Sequence, residues 1–473
     1  FSPRFMILLQ RGLNQADYEL LWSTKNIPQI YKWLEMNYPD PSIRLPSNMI
    51  PKRYDITLSP YFEGKDFTFT GKVLIEMETN DIFSSRIVLH SHELDIKSIS
   101  IYKSKSKEEQ SLLENRGDKI KIESYKLIEE SQKLLILMEN ILESGKFIAE
   151  IEFAGKLNDD LHGFYRSFYY DKKGKIRWIA ATHFAPIYAR KAFPCFDEPR
   201  YKAKFAINIE RPKGYHVLSN MPLQKSSASE VKDRVLDSFK ESVPMSPYLV
   251  AFVISDFETV RNGYQNLNVW SRSNISAHAD LAQIAAMRMM EYLEDQTGIS
   301  YPLPKLDLVA VPDFGMGAME NWGLITFKES NLIYEEDEAT ALQTENIVNT
   351  IAHELSHMWF GNLVTCDWWE YVWLNEGFAE YFQWHIADIF RPSYKFDQLF
   401  VVHKLQPTLV LDSLSSSHPV NNPVINNTNI AQIFDGIAYG KGKILLILSK
   451  LCVVFLCLSS KELFLFELGN CVL

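Results

Sequence analysis

The chain has 473 residues, of which 46% are hydrophobic and 13% are aromatic, so large hydrophobic cores can form and intrinsic disorder is excluded. Its length predicts two or three domains. The formal net charge is −10, and the lysines and arginines do not cluster beside aromatic residues. This pattern disfavours a nucleic-acid-binding function, and no nucleic-acid partner is expected.

Cysteines and glycosylation patterns bear on location. The five cysteines include no C-x-x-C pair, and an odd number cannot all be paired within one chain. The tripeptides Asn274-Ile275-Ser276 and Asn426-Asn427-Thr428 fit the acceptor pattern for N-linked glycosylation. They favour a secreted protein or a cell-surface ectodomain and leave a cytoplasmic location open. The chain begins at Phe1 without a signal-peptide pattern, so we expect a fragment, with any membrane attachment in parts missing from it.

The first half of the chain contains two predicted segments. Residues 1–42 carry an apolar stripe at helical spacing that ends in a Pro-Asp-Pro sequence, which indicates a separate helical segment. Apolar residues then alternate with polar ones in short runs between turns, beginning with Tyr54, Ile56 and Leu58. This alternation predicts a β domain over residues 43–256.

Helical periodicity begins near Asp280 and is predicted to end at Gly298, and a strand over Leu306–Val311 follows. Two further helices are predicted at residues 344–360 and 374–390.

These elements predict a helical domain over residues 257–445, followed by an apolar tail over residues 446–473. Residues 444–458 are almost wholly apolar, but this stretch is shorter than the roughly 20 residues that a membrane-spanning helix needs. We therefore expect a buried helix, or an aberrant end of the predicted gene, rather than a membrane anchor.

A metal-binding pattern lies on the first of the two later helices. His353 and His357 are four residues apart, so both imidazoles leave one helix face and can bind one metal ion. Glu354 is free to hold a water molecule and to act as general base. A hydrolytic zinc site needs three protein ligands and an open position, and Glu376, on the next predicted helix, fits the third ligand. The alternative for the bare motif is a surface helix with two solvated histidines, and the placement of Glu376 argues against it.

A second candidate segment, Gly317-Ala318-Met319-Glu320-Asn321, follows the predicted strand. Its extended backbone can pair with a substrate peptide as an added strand. Glu320 would then present its carboxylate to the end of that peptide. The alternative is an ordinary glycine-rich turn with a solvated glutamate.

With these two motifs the chain resembles the M1 family of zinc aminopeptidases over about residues 43–443. The resemblance implies an α+β multidomain protein, in which an N-terminal β-sheet saddle domain precedes a thermolysin-like, mainly helical zinc catalytic domain that is truncated here. It also implies that residues 1–42 match the C-terminal helix of a preceding unit. Further similarity lies in Asn375-Glu376-Gly377-Phe378-Ala379, in Ala192-Phe193-Pro194-Cys195-Phe196-Asp197-Glu198-Pro199, and in residues 434–441.

The resemblance implies one zinc ion per chain and a peptide substrate with a free N-terminus, from which single residues are removed. Tyr439 would supply its hydroxyl to the tetrahedral intermediate, and Glu320 would pair with the α-ammonium of the substrate.

Two departures from the family pattern stand out. His183 and Ala185 occupy positions where many members carry a glutamine and a second glutamine or glutamate that help to bind the ammonium. Neutral His183 can accept a hydrogen bond, but its protonated form would repel the ammonium. We therefore expect weaker amine recognition, or activity that falls at mildly acidic pH. The second departure is Gly442-Lys443, where the family continues with a Gly-Ala pair.

Two other functions stay open at this point. The first is a catalytically impaired homologue that acts as a surface-binding protein, which His183, Ala185 and the truncation favour. The second is an epoxide hydrolase, which no residue singles out.

Overall fold

The computed structural model of the chain describes residues 42–62, 66–79, 84–106, 110–264, 266–335, 337–447 and 471–472. The predicted N-terminal helical segment and most of the apolar tail lie outside these residues, so both stay predictions.

Strands joined by turns dominate the described chain as far as Ser255. The strands are β1 (Ile50–Tyr61), β2 (Thr68–Thr79), β3 (Ser84–His90), β4 (Asp95–Ser104), β5 (Arg116–Ile120), β6 (Ile122–Ile128), β7 (Lys133–Leu142), β8 (Gly145–Lys156), β9 (Gly163–Tyr170), β10 (Ile176–His183), β11 (Lys204–Pro212), β12 (His216–Ser219), β13 (Leu223–Ala228), β14 (Arg234–Phe239) and β15 (Phe252–Ser255).

These strands form an eight-stranded sheet in the order β13-β14-β11-β1-β2-β8-β4-β5, a four-stranded sheet β12-β15-β10-β9 and a three-stranded sheet β3-β7-β6. The pair β1–β11 is parallel. Strand β1 buries Tyr54, Ile56 and Leu58 on one face, as the alternation predicts.

A five-stranded sheet follows in the order β16-β17-β18-β20-β19. Its central strand, β18, is buried along its whole length, and its sequence is apolar except for Asp307, which forms an ion pair with Lys305 at 2.7 Å. The bounds are β16 (Glu258–Tyr264), β17 (Leu267–Ser271), β18 (Leu306–Val311), β19 (Ala318–Met319) and β20 (Leu324–Lys328), and a two-stranded sheet pairs β21 (Thr365–Cys366) with β22 (Cys471–Val472).

Helices pack against this sheet and against each other. In the described residues no helix is both long enough and apolar enough to cross a lipid bilayer. The helices are α1 (Asp280–Thr297), α2 (Ala341–Ser356), α3 (Trp373–Phe390), α4 (Phe396–Phe400), α5 (Gln406–Asp412) and α6 (Asn427–Gln432), with π-helical turns at Val401–Leu405 and Ile437–Lys441. Single 3₁₀ turns lie at Ala189–Lys191, Pro247–Leu249, Ser276–His278, Glu329–Asn331, Trp369–Tyr371 and Pro392–Tyr394.

The prediction of an α+β chain, with an N-terminal β-rich domain followed by a domain that contains the helices, is confirmed. The predicted boundary at residue 256 falls in the connection between β15 and β16 and stays a prediction. Helix α1 ends before Gly298, whose φ of 68° is the left-handed conformation that glycine adopts readily at helix ends.

Helix α2 ends four residues earlier than predicted, at Ser356 rather than Phe360. The backbone of residues 357–360 tightens into turns, and the Phe360 carbonyl points back to accept a hydrogen bond from His357 Nδ1 at 2.8 Å. A continued helix would direct that carbonyl along the helix axis instead. The early end of the helix therefore holds the second histidine of the motif in place.

The N-terminal β domain supports this turn directly. The Tyr248 hydroxyl donates to the Gly361 carbonyl at 3.0 Å, and Lys202 Nζ donates to the Leu363 carbonyl at 2.9 Å. Buried apolar residues from Ile43 to Ala438 form one hydrophobic cluster across both regions. The turn after the motif is thus fixed by the β domain as well as by its own helix.

Lys443, the second departure from the family pattern, is buried beside α3. Its ammonium lies 3.4 Å from the ring centroid of Phe400 and 5.6 Å from that of Trp384. Burial lowers the pKa of Lys443 from 10.5 to about 7, although Glu380 acts in the opposite direction. The folded state therefore disfavours the charged amine.

We expect the free energy of unfolding to rise as the pH increases from about 7 towards 10.5, because the folded pKa of Lys443 lies below the unfolded one. At pH 6 the variant Lys443→Met should be more stable by up to roughly 5 kcal/mol, since each pKa unit corresponds to about 1.4 kcal/mol. Urea unfolding at pH 6 and pH 9.5 measures both effects, with exposed Lys119→Met as control. Equal stabilities of the wild type and Lys443→Met at pH 6 would contradict this expectation.

Candidate active site

A cavity of about 130 Å³ lies where the 317–321 segment, helices α2 and α3 and the turn Ile437–Lys441 meet. It brings together the predicted ligands, the predicted general base and most of the predicted substrate contacts. The site residues that line it are His183, Ala318, Met319, Glu320, His353, Glu354, His357, Glu376 and Tyr439.

The three predicted metal ligands converge on one point. His353 Nε2 lies 3.0 Å from His357 Nε2 and 3.2 Å from Glu376 Oε2, and the third distance, from His357 Nε2 to Glu376 Oε2, is 3.3 Å. No other group of three histidine, cysteine or acidic side chains meets the geometry for a metal among the residues that the structure describes.

The hydrogen bonds of the two Nδ1 atoms determine whether the Nε2 atoms of His353 and His357 carry a hydrogen or a lone pair. His357 Nδ1 donates to the Phe360 carbonyl, which can only accept. His353 Nδ1 donates to Gln383 Oε1 at 2.9 Å. In the neutral rings both hydrogens are therefore on Nδ1, and both Nε2 atoms present lone pairs beside a carboxylate oxygen. Three electron-pair donors at this separation fit a zinc ion.

The charge of the cavity supports the same conclusion. Although burial disfavours an imidazolium, the carboxylates of Glu320 and Glu376 raise the pKa of His357 to about 10. Burial acts against the ionised form of Glu376 too, yet His357 and His353 lower its pKa to about 2. The site thus strongly favours a positive charge at Nε2, and a proton and a metal ion compete for the same lone pair.

Glu354 points into the cavity without being part of the triad. Its side chain is buried, and Oε2 has no hydrogen-bond partner among the described residues. Burial raises the pKa of this carboxyl well above its usual range, against the opposing effect of His357. An unpartnered buried carboxylate oxygen beside three ligand atoms is suited to take a proton from a water molecule held there.

The 317–321 segment forms the edge of the five-stranded sheet. Within the described part of the chain, strand β19 pairs with β20 alone, with Ala318 opposite Phe327, so its other edge is available to a peptide. Glu320 follows directly and is buried, and burial raises the pKa of its carboxyl. Gly317 and Asn321 do not line the cavity.

Two side-chain amides hold this segment. Asn321 Nδ2 donates to Thr326 Oγ1 at 3.0 Å, and Asn362 Nδ2 donates to the Glu320 carbonyl at 2.8 Å. The Asn321 side chain therefore contacts Thr326 and stabilises the segment.

Tyr439 covers the triad from the side of the turn Ile437–Lys441. Its ring stacks on His353, with centroids 5.9 Å apart and planes inclined by 21°. Burial raises the pKa of the hydroxyl well above its usual range, so it stays protonated and can donate.

The backbone positions this turn against α3. A Cβ added to Gly377 would lie 3.0 Å from the Gly442 carbonyl carbon. The backbone of α3 and the backbone at Gly442 are therefore in contact without an intervening side chain. Gly377 directly follows Glu376.

His183 lies at the end of β10 with 3% of its surface exposed. Its Nδ1 donates to the Leu161 carbonyl at 3.3 Å, which leaves Nε2 as an acceptor. Burial, together with the nearby His162, lowers the pKa of His183 to about 4. Protonation of His183 is therefore not expected at mildly acidic pH. The fall in activity that the sequence predicted at mildly acidic pH is now expected only near pH 4.

Two residues near the ligands were not predicted from the sequence. His162 stacks on His183 with centroids 5.5 Å apart and lines the cavity, because Gly163 pairs with His183 in the hairpin of β9 and β10. Gln383 lies seven residues after Glu376 on α3 and orients His353. The hairpin register would have located His162, and helical spacing would have put Gln383 on the ligand face of α3.

Gln383→Leu should weaken zinc binding about 10- to 100-fold, because it removes the acceptor that holds His353 Nδ1. Competition with a chromophoric chelator measures the affinity without any enzymatic assay. Gln398→Leu, at an exposed position of α4, is the matched control. An unchanged affinity of Gln383→Leu would show that this hydrogen bond does not support the ligand.

Comparison with known families agrees with this geometry. Residues 50–249 match the Peptidase M1 N-terminal domain, and residues 282–453 match the Peptidase family M1 domain.

Named relatives are similar over most of this chain. It is 39% identical over 416 residues to endoplasmic reticulum aminopeptidase 1 of Homo sapiens, which covers 86% of this chain and 42% of that protein. It is 38% identical over 407 residues to aminopeptidase 2, mitochondrial, of Saccharomyces cerevisiae, with 85% and 41% covered. Glutamyl aminopeptidase of Bos taurus is 39% identical over 404 residues, with 84% and 41% covered. The chain spans about two fifths of the length of these curated relatives. Both domain matches and the similarity to aminopeptidases agree, and the chain belongs to peptidase family M1.

Proposed function

We propose that the chain is a zinc-dependent aminopeptidase that removes single residues from peptides with a free N-terminus. The observation that carries this proposal is the convergence of two histidine lone pairs and the Glu376 carboxylate beside Glu354, whose Oε2 has no hydrogen-bond partner among the described residues. The names of the relatives support the substrate class.

His353, His357 and Glu376 would hold the zinc ion. When bound, zinc lowers the pKa of a coordinated water molecule from about 15.7 to about 7 and polarises the scissile carbonyl. Glu354 takes a proton from the attacking water and passes it to the leaving amine.

Tyr439 donates its hydroxyl hydrogen to the oxyanion of the tetrahedral intermediate. Its stacking on His353 and its high pKa keep this donor near the ligands and protonated. Such a donor typically contributes about 10²–10³ in rate.

Glu320 sets the position of the substrate along the cavity. The peptide adds to the free edge of β19, and its α-ammonium pairs with the Glu320 carboxylate. Because Glu320 is buried, a blocked amine would leave it unpaired, and such an unpaired buried charge costs several kcal/mol.

His183 is proposed to accept a second hydrogen bond from the ammonium through Nε2. Ala185 also lines the cavity and offers no polar group, so amine recognition has fewer acceptors than the family pattern provides.

The proposed location has separate support. Asn274 and Asn426, the first residues of the glycosylation tripeptides, are both exposed, which supports a secreted or cell-surface protein. A mobility change of the natural protein after enzymatic removal of N-linked glycans tests this location.

The full chain with zinc should release chromophore from aminoacyl substrates, and N-acetylated substrates should react at least about 100-fold more slowly because Glu320 then lacks its cation. Glu354→Gln should lower kcat about 10²–10⁴-fold without loss of zinc. Exposed Glu338→Gln is the matched control. Steady-state kinetics beside zinc analysis measure these effects. A zinc-loaded, folded chain without turnover would contradict the proposal and favour a surface-binding role.

His183→Gln should lower KM for free-amine substrates, because an amide oxygen accepts from the ammonium as the family's glutamine does. Since the pKa of His183 is about 4, the residue is neutral from pH 5 to pH 8, and the ratio of the two KM values should stay constant over that range. A ratio that changes near pH 6.5 would show that His183 titrates at its ordinary pKa. Equal KM values would remove His183 from amine recognition.

A further inference from the structure

The turn that carries Tyr439 is fixed by the side chain of Asp435. Asp435 Oδ1 accepts hydrogen bonds from the backbone N–H groups of Ile437 at 2.9 Å and of Ala438 at 3.1 Å. The Asp435 carbonyl accepts from the Tyr439 N–H at 3.2 Å. Asp435 therefore caps the first turn of Ile437–Lys441, and its orientation sets that of the following tyrosine.

The other oxygen of Asp435 is held by His418. His418 Nε2 lies 2.8 Å from Asp435 Oδ2, and His418 Nδ1 lies 2.8 Å from the Pro419 carbonyl. A carboxylate and a carbonyl both only accept, so each ring nitrogen must carry a hydrogen to make both bonds. The observed geometry is that of an imidazolium, which makes a charge-assisted hydrogen bond to the cap.

The far end of the turn is attached to the same segment of chain. Lys441 Nζ donates to Asp412 Oδ1 at 2.8 Å, and Ser417 Oγ donates to the same oxygen at 2.8 Å. Tyr439 thus lies between two polar attachments to residues 412–418.

Three charged groups act on His418 in the described part of the chain: Asp435 and Asp412 favour its charged form, and Lys441 disfavours it. Burial disfavours the imidazolium as well, yet the bonds to Pro419 and Asp435 raise the pKa of His418 above its ordinary value. The charge is therefore lost as the pH rises through this raised pKa, and one of the two bonds is lost with it.

We propose that His418 and Asp435 are positioning residues for the reaction, and that the imidazolium–carboxylate pair holds the Tyr439 hydroxyl at the oxyanion. This inference rests on the proposed function for its catalytic part and on the hydrogen bonds alone for its structural part.

The kinetic test uses the full zinc-loaded chain and the variants His418→Ala, His418→Gln and Tyr439→Phe. We expect His418→Ala to lower kcat roughly tenfold, the effect of losing one hydrogen bond to a charged group, with KM nearly unchanged. His418→Gln should restore only part of kcat, because it keeps a neutral donor but not the charge. The wild type, but not His418→Gln, should lose kcat as the pH rises through the pKa of His418. Exposed His216→Gln is the matched control and should keep the wild-type profile.

A double-mutant cycle separates positioning from general destabilisation. In a Tyr439→Phe background there is no hydroxyl to position, so adding His418→Ala should cause no further loss of kcat. Losses that multiply in the double variant, or a His418→Gln profile with the wild-type alkaline limb, would overturn the proposal.

Amide hydrogen exchange provides a readout that needs no turnover. The N–H groups of Ile437 and Ala438 should exchange at least about tenfold faster in His418→Ala, while α2 keeps its protection. Unchanged exchange at these two amides would overturn the structural part. Faster exchange in His418→Ala, together with a wild-type chain that shows no turnover at all, would contradict the proposed function. It would still support the structural part of this inference.

Discussion

Electrostatic repulsion among buried acceptors is the constraint on which the site depends. Glu320, Glu354 and Glu376 line one cavity with two histidine lone pairs, and among the described residues no lysine or arginine lines it. Buried carboxylates so close together stay ionised only with a cation among them, and otherwise they take up protons. Much of the surrounding fold serves to hold these groups in place despite that repulsion: the β domain fixes the turn after His357, α3 supplies Gln383, and the sheet edge carries Glu320.

The sequence predicts those features best that depend on residues close together in the chain. The pair His353–His357 depends on helical spacing alone, and β1 and β18 depend on local alternation or burial, so these agree with the structure. The predicted end of α2 was wrong by four residues, because the hydrogen bond from the His357 side chain to the Phe360 carbonyl competes with continuation of the helix. His162 depends on hairpin register, and the His418–Asp435 pair joins residues 17 positions apart on either side of the short helix α6. Spacing within one helix or strand therefore predicts neither.

Both departures from the family pattern have a common physical outcome, which is a buried basic group with a lowered pKa. Burial lowers the pKa of His183 to about 4 and that of Lys443 to about 7. Under the proposed function, the neutral ring of His183 accepts a hydrogen bond from a cationic substrate. At Lys443 the described contacts show no comparable use of the neutral amine, and the lowered pKa opposes stability below the unfolded pKa. The same direction of shift would thus favour recognition in one place, and it opposes stability in the other.

The contact between Gly377 and Gly442 also has a consequence for motion. Because no side chain separates α3 from Gly442, which directly follows the turn Ile437–Lys441, we expect Glu376 and Tyr439 to move together. Glu320 belongs to a different element, the edge of the five-stranded sheet. If the cavity widens to admit or release a peptide, we expect the sheet edge to move away from α3 and the turn. Under the proposed function, the carboxylate that binds the amine and the hydroxyl that binds the oxyanion would then move apart, while Glu376 and Tyr439 would keep their mutual geometry.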